Sequence, residues 1–138
     1  MYSLSSSKIP GSIPDELYFE RFARLTETGK QYGVSVCQEN VVNHRGQSCE
    51  YLRAMADFIG EDFGIVLDIK QARRAGTNPY DIINYLHQNI KHIHISDFNS
   101  SKDCIPPLKG QFDFAHFFNT LKAKAYKGDY IIELYEHS

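Results

Sequence analysis

Four residues that end short apolar runs could together bind a metal ion: Glu39, Asp68, His94 and Glu133. Three carboxylates and one imidazole suit a divalent ion that keeps open positions for a substrate. Manganese, magnesium and cobalt fit this donor set, and zinc fits it as an open catalytic site. Such an ion can bind the carbonyl and a neighbouring hydroxyl oxygen of a sugar, which makes the proton between them easier to remove. A flanking carboxylate would then serve as the base.

These residues follow segments whose apolar patterns alternate between strand and helix. Strands are predicted at 34–40, 64–68, 91–97 and 129–135, and helices at 15–30, 48–59, 78–86 and 114–125. Residues 98–111 are predicted to form a long loop, and residues 1–13 to be flexible or loop. Strands rich in Val, Ile and Leu that alternate with helices indicate parallel βα units, so the predicted fold class is α/β.

The spacing of the four strand-end residues indicates a particular α/β architecture. They recur at intervals of roughly 30 residues, which is close to one unit of a (β/α)8 barrel of about 250 residues. By the same measure, a chain of 138 residues holds about four units, or half a barrel. In such barrels the chemistry lies at the carboxyl ends of the strands, where these four side chains are predicted to converge.

Alternation along each strand predicts which face each side chain occupies. Residues two apart point the same way, so Glu39 shares a face with Cys37, and Asp68 with Val66. This smaller and more polar set is predicted to face the barrel interior. The opposite set is apolar and is predicted to face the helices; it comprises Val34, Val36, Ile65, Leu67, Ile93, Ile95, Tyr130, Ile132 and Leu134.

Composition excludes several classes of partner. Fifteen basic and 17 acidic residues give a net charge of −2 without any long run of one sign, so neither nucleic acid nor an anionic membrane is an expected partner. No apolar stretch is long enough to span a bilayer and the first residues lack a signal-peptide pattern, so the expected location is the cytoplasm. Cys37, Cys49 and Cys104 lack any CxxC spacing and are interpreted as free thiols.

Five segments, in order along the chain, resemble one family, the xylose isomerase-like sugar-phosphate isomerase/epimerase barrels. They are Gln38-Glu39-Asn40-Val41; Val66-Leu67-Asp68-Ile69-Lys70-Gln71-Ala72 with Ala75-Gly76; His92-Ile93-His94-Ile95-Ser96-Asp97; Lys109-Gly110-Gln111-Phe112-Asp113-Phe114; and Ile131-Ile132-Glu133-Leu134-Tyr135. The resemblance implies the C-terminal half of a TIM barrel and a divalent-metal-dependent sugar or sugar-phosphate isomerase or epimerase. It also implies that Glu39, Asp68, His94 and Glu133 are the metal ligands. In ketose 3-epimerase members, the residues that match Glu39 and Glu133 act as the acid/base pair on opposite sides of the substrate.

Further residues are predicted to support this site. Gln71 stands where many members have a histidine; its amide cannot shuttle a proton but can bind a sugar hydroxyl. Lys109 could bind a substrate phosphate, although a solvated lysine is the commoner role. Asp97 is expected to bond either loop backbone or the second nitrogen of His94. His92 is interpreted as an interior histidine whose ring nitrogens have hydrogen-bond partners.

Two alternatives to an isomerase remain open at this stage. One is a non-catalytic fragment or interaction module of the same fold, and the other is a metal-dependent dehydratase or lyase that uses the same site. The expected partners are a small sugar or sugar phosphate, and a second copy of the chain or a complementary N-terminal half barrel. Four strands leave two edges unpaired and an inward face, with Cys37, Val66, His92 and Ile131, that is expected to be open to water. A homodimer would crowd six carboxylates at one mouth, so metal is expected to promote closure.

Overall fold

The fold is built on one five-stranded sheet in which every neighbouring pair of strands is parallel. The strands are β1 (Tyr2–Leu4), β2 (Val36–Glu39), β3 (Gly64–Asp68), β4 (Ile90–Ile95) and β5 (Asp129–Ile132). Their order in the sheet is their order in the chain, as for successive strands of a (β/α)8 barrel. The structure, a computed structural model, describes residues 1–6, 8–9 and 13–135. The predicted fold class, α/β with parallel βα units, is confirmed.

Helices connect the strands, and side chains at their first residues explain where several of them begin. The helices are α1 (Asp15–Gln31), a 3₁₀ turn (Arg45–Gln47), α2 (Cys49–Ile59), α3 (Ile69–Ala75), α4 (Pro79–Leu86) and α5 (Phe114–Ala123). The side chains of Ser48, Asn78 and Asp113 each accept a hydrogen bond from a backbone N–H in the first turn of α2, α4 and α5. These caps satisfy donors that have no partner inside the helix.

The hydrophobic core lies between the helices and one face of the sheet, as the strand alternation predicts. It joins the β3 and β4 side chains Ile65, Leu67, Ile93 and Ile95 to helix residues that include Phe22, Leu52, Met55, Ile82, Phe117 and Leu121. β5 differs, because Tyr130 and Ile132 remain exposed on an edge strand. The core thus fixes β3 and β4 most firmly, and these two strands carry Asp68 and His94.

Two elements depart from the sequence-based prediction. Residues 1–13 were predicted to be flexible or loop, but Tyr2–Leu4 form β1, which pairs with β2. A strand of three residues with two exposed side chains has too short a pattern to be recognised, and its order comes from pairing with β2. No helix was predicted at 69–75, yet α3 begins directly after β3 without an intervening loop. Because β1 joins it, the observed sheet has five strands instead of the four predicted.

The expectation that the inward face is open to water is wrong for three of its four residues. Cys37 and Val66 are fully buried and His92 is nearly so, whereas Ile131 is about half exposed, at 49%. Side chains of neighbouring strands cover one another on this face. Val66 lies in register with Glu39 and His92, and Cys37 Sγ lies 2.8 Å from the position that a β-carbon on Gly64 would take. Exposure is therefore concentrated at β5.

The predicted strand that contains Glu133 ends earlier than expected. β5 ends at Ile132, and the backbone N–H of Glu133 donates one further hydrogen bond, to the carbonyl of Ile95 at 3.0 Å. Glu133 is therefore held next to the end of β4 although it lies just outside β5.

None of the helices in the described ranges is both long enough and apolar enough to cross a membrane.

Candidate metal centre

The carboxyl ends of four neighbouring strands bring the four predicted ligands together. Glu39 and Asp68 are the last residues of β2 and β3, His94 on β4 is in register with Asp68, and Glu133 follows β5. One ligand atom from each of these side chains lies within 4.8 Å of all the others. Convergence follows from the parallel sheet, because equivalent ends of parallel strands lie along the same edge.

His94 Nδ1 lies at the middle of this cluster. It is 3.5 Å from Asp68 Oδ2, 3.6 Å from Glu133 Oε2 and 3.7 Å from Glu39 Oε1. These separations are too long for good hydrogen bonds. They match ligands around a shared ion, because two atoms that each lie about 2.1 Å from a tetrahedral metal are about 3.4 Å apart.

Two of these atoms lack the partner that a buried polar atom needs. Asp68 Oδ2 and His94 Nδ1 are buried and have no hydrogen-bond partner among the residues that the structure describes. Leaving a buried acceptor unsatisfied costs about 1–3 kcal/mol per group. A divalent cation between them would satisfy both, and oxygen and imidazole donors suit manganese, magnesium, cobalt or zinc. The residues present therefore fit such an ion.

Charges within the cluster shift the pKa values of two of its members. The nearby carboxylates of Asp68 and Glu39 raise the pKa of His94 to about 9, in spite of its burial. Burial would raise the pKa of Asp68, but His94, the backbone N–H of Gln71 and Lys70 outweigh it and leave that pKa lowered. The cluster thus stabilises positive charge strongly, and a proton on His94 must leave before that nitrogen can bind a metal.

Two residues that the sequence analysis did not single out contact the carboxylates. Ser3 on β1 donates its hydroxyl to Glu39 Oε2 at 3.3 Å. Lys70 on α3 is fully buried and donates to Glu133 Oε2 at 2.8 Å. Both lie in elements that were not predicted. No signal in the sequence sets Lys70 apart, because Gln71, Arg73 and Arg74 make its segment polar.

One buried amide side chain holds the backbone of Asp68 in place, and a second links neighbouring elements. Asn40 is fully buried; it donates to the backbone carbonyl of Asp68 at 3.1 Å and accepts from its N–H at 2.8 Å. Gln71, predicted to bind substrate, is buried, and its amide oxygen accepts from the N–H of Val42 at 3.1 Å. Gln71 thus links the loop after β2 to the first turn of α3, and its contact with substrate stays a prediction.

The structure distinguishes between the two expectations for Asp97. Its carboxylate accepts hydrogen bonds from the backbone N–H groups of Phe98, Gly110 and Phe112, so it organises the loop. No described contact joins it to His94.

Lys109 is exposed in the same loop, and its binding of a phosphate stays a prediction. His92 is nearly buried beside His94, with the two rings 5.2 Å apart, so it is interior as expected. It is not the satisfied histidine that was predicted, because its buried Nε2 has no hydrogen-bond partner among the described residues.

Comparison with known proteins places this geometry in context. Residues 9–138 match the model of a family described as xylose isomerase-like TIM barrel. Inosose isomerase of Halalkalibacterium halodurans is 30% identical over 125 residues, which make up 80% of this chain and 43% of that enzyme. The chain spans just under half the length of the curated relatives that it matches.

Solved structures show the same partial coverage. The crystal structure of a D-tagatose 3-epimerase-like protein has a TM-score of 0.73 and 26% identity, covering 90% of this chain and 53% of that one. The crystal structure of the IOLI protein with a bound zinc atom has a TM-score of 0.72 and covers 95% of this chain and 51% of that one. Its identity is 19%, so that likeness shows the fold alone.

Proposed function

The chain belongs to the xylose isomerase-like TIM barrel family, and from this premise we propose that it carries the metal centre of a divalent-metal-dependent sugar or sugar-phosphate isomerase or epimerase. The family contains sugar isomerases, epimerases and related enzymes. The observation that carries the proposal is the convergence of three carboxylates on His94, with two buried polar atoms left without partners among the described residues. Glu39, Asp68, His94 and Glu133 would hold the ion.

The proposed acid/base pair lies on opposite flanks of the centre. Glu39 ends β2 and Glu133 follows β5, with β3 and β4 between them. In our proposal, one glutamate removes the proton from the carbon next to the substrate carbonyl, and the other returns a proton from the opposite side. A bound divalent ion would supply stabilisation of the negative charge that develops on the substrate oxygens. The Oε1 atom of Glu39 faces the centre, while its Oε2 accepts from Ser3.

Substrate and partner roles complete the proposal. Gln71 would bind a sugar hydroxyl, and Lys109 a phosphate where the substrate carries one. Because the chain spans just under half the length of its relatives, the remaining wall of the site would come from a second copy or from a complementary half barrel. The substrate would be a small sugar or sugar phosphate.

Titration calorimetry with manganese chloride on chelator-treated protein tests the ion-binding part of the proposal. Wild type is expected to bind one ion per centre. Asp68→Asn is expected to weaken binding at least about 100-fold, because a neutral amide replaces a buried anionic ligand. Asp57→Asn changes an exposed carboxylate on α2 in the same way and should bind as wild type does. Wild type that binds no ion, or Asp68→Asn that binds equally well, would contradict the proposed centre.

Proton exchange on ketose substrates tests the catalytic part. In deuterium oxide with manganese, NMR should show loss of the proton next to the carbonyl and accumulation of an epimer or an isomeric aldose. A product that has lost water would assign the site to a dehydratase instead. An ion-binding protein that exchanges no proton on any ketose or ketose phosphate would leave the non-catalytic alternative as the better description.

A further inference from the structure

A buried lysine lies inside the carboxylate cluster. Lys70, in the first turn of α3, is fully buried, and its Nζ lies 2.8 Å from Glu133 Oε2 and 3.6 Å from Asp68 Oδ2. The same nitrogen lies 3.9 Å from the ring centre of Tyr135, which is a cation–π contact. A lysine is very rarely buried unless other groups compensate its charge. Here the compensating groups are two predicted metal ligands and one aromatic ring.

We propose that Lys70 is a built-in cation of the metal centre, which positions Glu133 and competes with a divalent ion for the carboxylates of Glu133 and Asp68. This inference rests on the ion binding in the proposed function. The two oxygens nearest the ammonium are the same atoms that face His94 Nδ1 at 3.6 and 3.5 Å. An ion bound by these oxygens therefore has to share them with the ammonium.

Counting charges shows what the lysine does to a loaded centre. Glu39, Asp68 and Glu133 contribute three negative charges, and a divalent ion with Lys70 contributes three positive charges. The loaded centre is then neutral, with His94 bound as the uncharged imidazole that a metal requires. Without Lys70 the centre would carry one negative charge, which would repel the negative charge that develops on a sugar when a proton is removed. Lys70 thus lowers the affinity of the centre for the ion, but it reduces the repulsion between the loaded centre and the negative charge that develops on the substrate.

The two contacts of Lys70 differ in kind, which supports a positioning role. The 2.8 Å contact with Glu133 is a charge-assisted hydrogen bond, whereas the 3.6 Å contact with Asp68 is a Coulombic contact only. Glu133 lies beyond the end of β5, and its side chain is one-third exposed, so the strand alone does not fix it. Lys70 lies on a helix packed beside β4, and its hydrogen bond fixes the position of the Glu133 carboxylate.

Manganese titration of Lys70→Met, with Lys70→Gln as a second neutral variant, tests the proposal. Both variants are expected to bind manganese at least about tenfold more tightly than wild type, because a competing positive charge is gone. Both are also expected to have a lower melting temperature without metal, since the carboxylates of Glu133 and Asp68 lose the ammonium that pairs with them. Lys30→Met removes an exposed lysine that pairs with Asp62 and should leave manganese affinity within about twofold of wild type.

The outcomes separate this proposal from the proposed function. Wild type that binds manganese, with variants that bind equally or more weakly, overturns the role of Lys70 alone. If the variants bind manganese and wild type binds none, the competition is supported. That result contradicts only ion binding by the wild-type chain. Absence of binding in all proteins overturns both. If the neutral variants unfold without metal, manganese should restore their folded circular dichroism spectrum, and failure to do so overturns the proposal.

Discussion

At the scale of single residues, Asp68 shows how one side chain connects the fold to the site. Its Oδ1 accepts from the backbone N–H of Gln71 and so caps α3, while its Oδ2 faces His94. Capping and ligand binding thus use different oxygens of one carboxylate. This explains why an Asn at this position is a sound test of ion binding: it keeps a good helix cap and removes the charge.

Glu133→Gln tests the assignment of the base. The amide can still offer an oxygen to an ion and to Lys70, but it cannot accept the substrate proton. We expect proton exchange to fall by about 10²–10⁴-fold, while manganese affinity falls by less than about tenfold. NMR exchange rates and calorimetry on the same preparations check both. Equal exchange rates in wild type and variant would remove Glu133 from the base role.

The stabilisation provided by Asp97 is expected to depend on pH. Burial would raise the pKa of this carboxyl, but hydrogen bonds from the backbone N–H groups of Phe112, Phe98 and Gly110 outweigh it and leave the pKa below its usual value. The charged form therefore stabilises the fold above the ordinary pKa of about 4, and this contribution is lost as the pH falls through the lower folded-state value.

Asp97→Asn should accordingly lower the free energy of unfolding by about 1–3 kcal/mol at pH 7. The difference from wild type should shrink as the pH falls below about 4, because wild type then loses the same charge. Urea denaturation at pH 7 and pH 3.5 measures both values. Asp57→Asn on the surface of α2 is the control. A difference that stays constant between the two pH values would contradict this account.

At the scale of elements, the sequence predicts the ligand set better than it predicts their surroundings. The ligands are predictable because each lies at or next to the end of an apolar run, and parallel strands bring such ends to one edge. β1 is not predictable, because three residues show too little alternation and its order depends on the distant β2. α3 is not predictable because it begins without a loop after β3. Ser3 and Lys70 were missed because they lie on these two elements.

The loop that Asp97 organises should be sensitive to substitution at Gly110. A β-carbon on Gly110 would overlap the carbonyl oxygen of Phe98 and would lie 2.6 Å from Asp97 Oδ1. Backbone must move to relieve the first contact, so Gly110→Ala is expected to destabilise the protein by about 1–3 kcal/mol. Thermal melting measures the loss. Ser100→Ala, at an exposed position of the same loop, should have the same melting temperature as wild type. A Gly110→Ala variant that also melts at the wild-type temperature would contradict the close contact.

At the scale of the whole molecule, β5 presents a run of exposed apolar side chains at one edge of the sheet. Within the described part of the chain, β5 pairs with β4 alone, and Tyr130, Ile131 and Ile132 are all exposed. An edge strand with such side chains favours pairing with another chain. We therefore expect the chain to self-associate, and Ile132→Lys to weaken association because it places a charge on that edge.

The metal dependence of this association follows from the charges at the mouth. Two copies round one mouth would bring six carboxylates together. Each copy also carries the buried ammonium of Lys70 and, without metal, a protonated His94 whose pKa is raised to about 9, so two net negative charges rather than six oppose closure at neutral pH. Manganese should therefore raise the dimer fraction less for wild type than for Lys70→Met. Light scattering and sedimentation, with manganese and with a chelator, measure the dimer fraction of wild type and of Lys70→Met. Ser100→Lys adds a charge elsewhere on the surface and is the control for Ile132→Lys. A wild-type chain that remains a monomer in every condition would contradict the self-association and its coupling to metal.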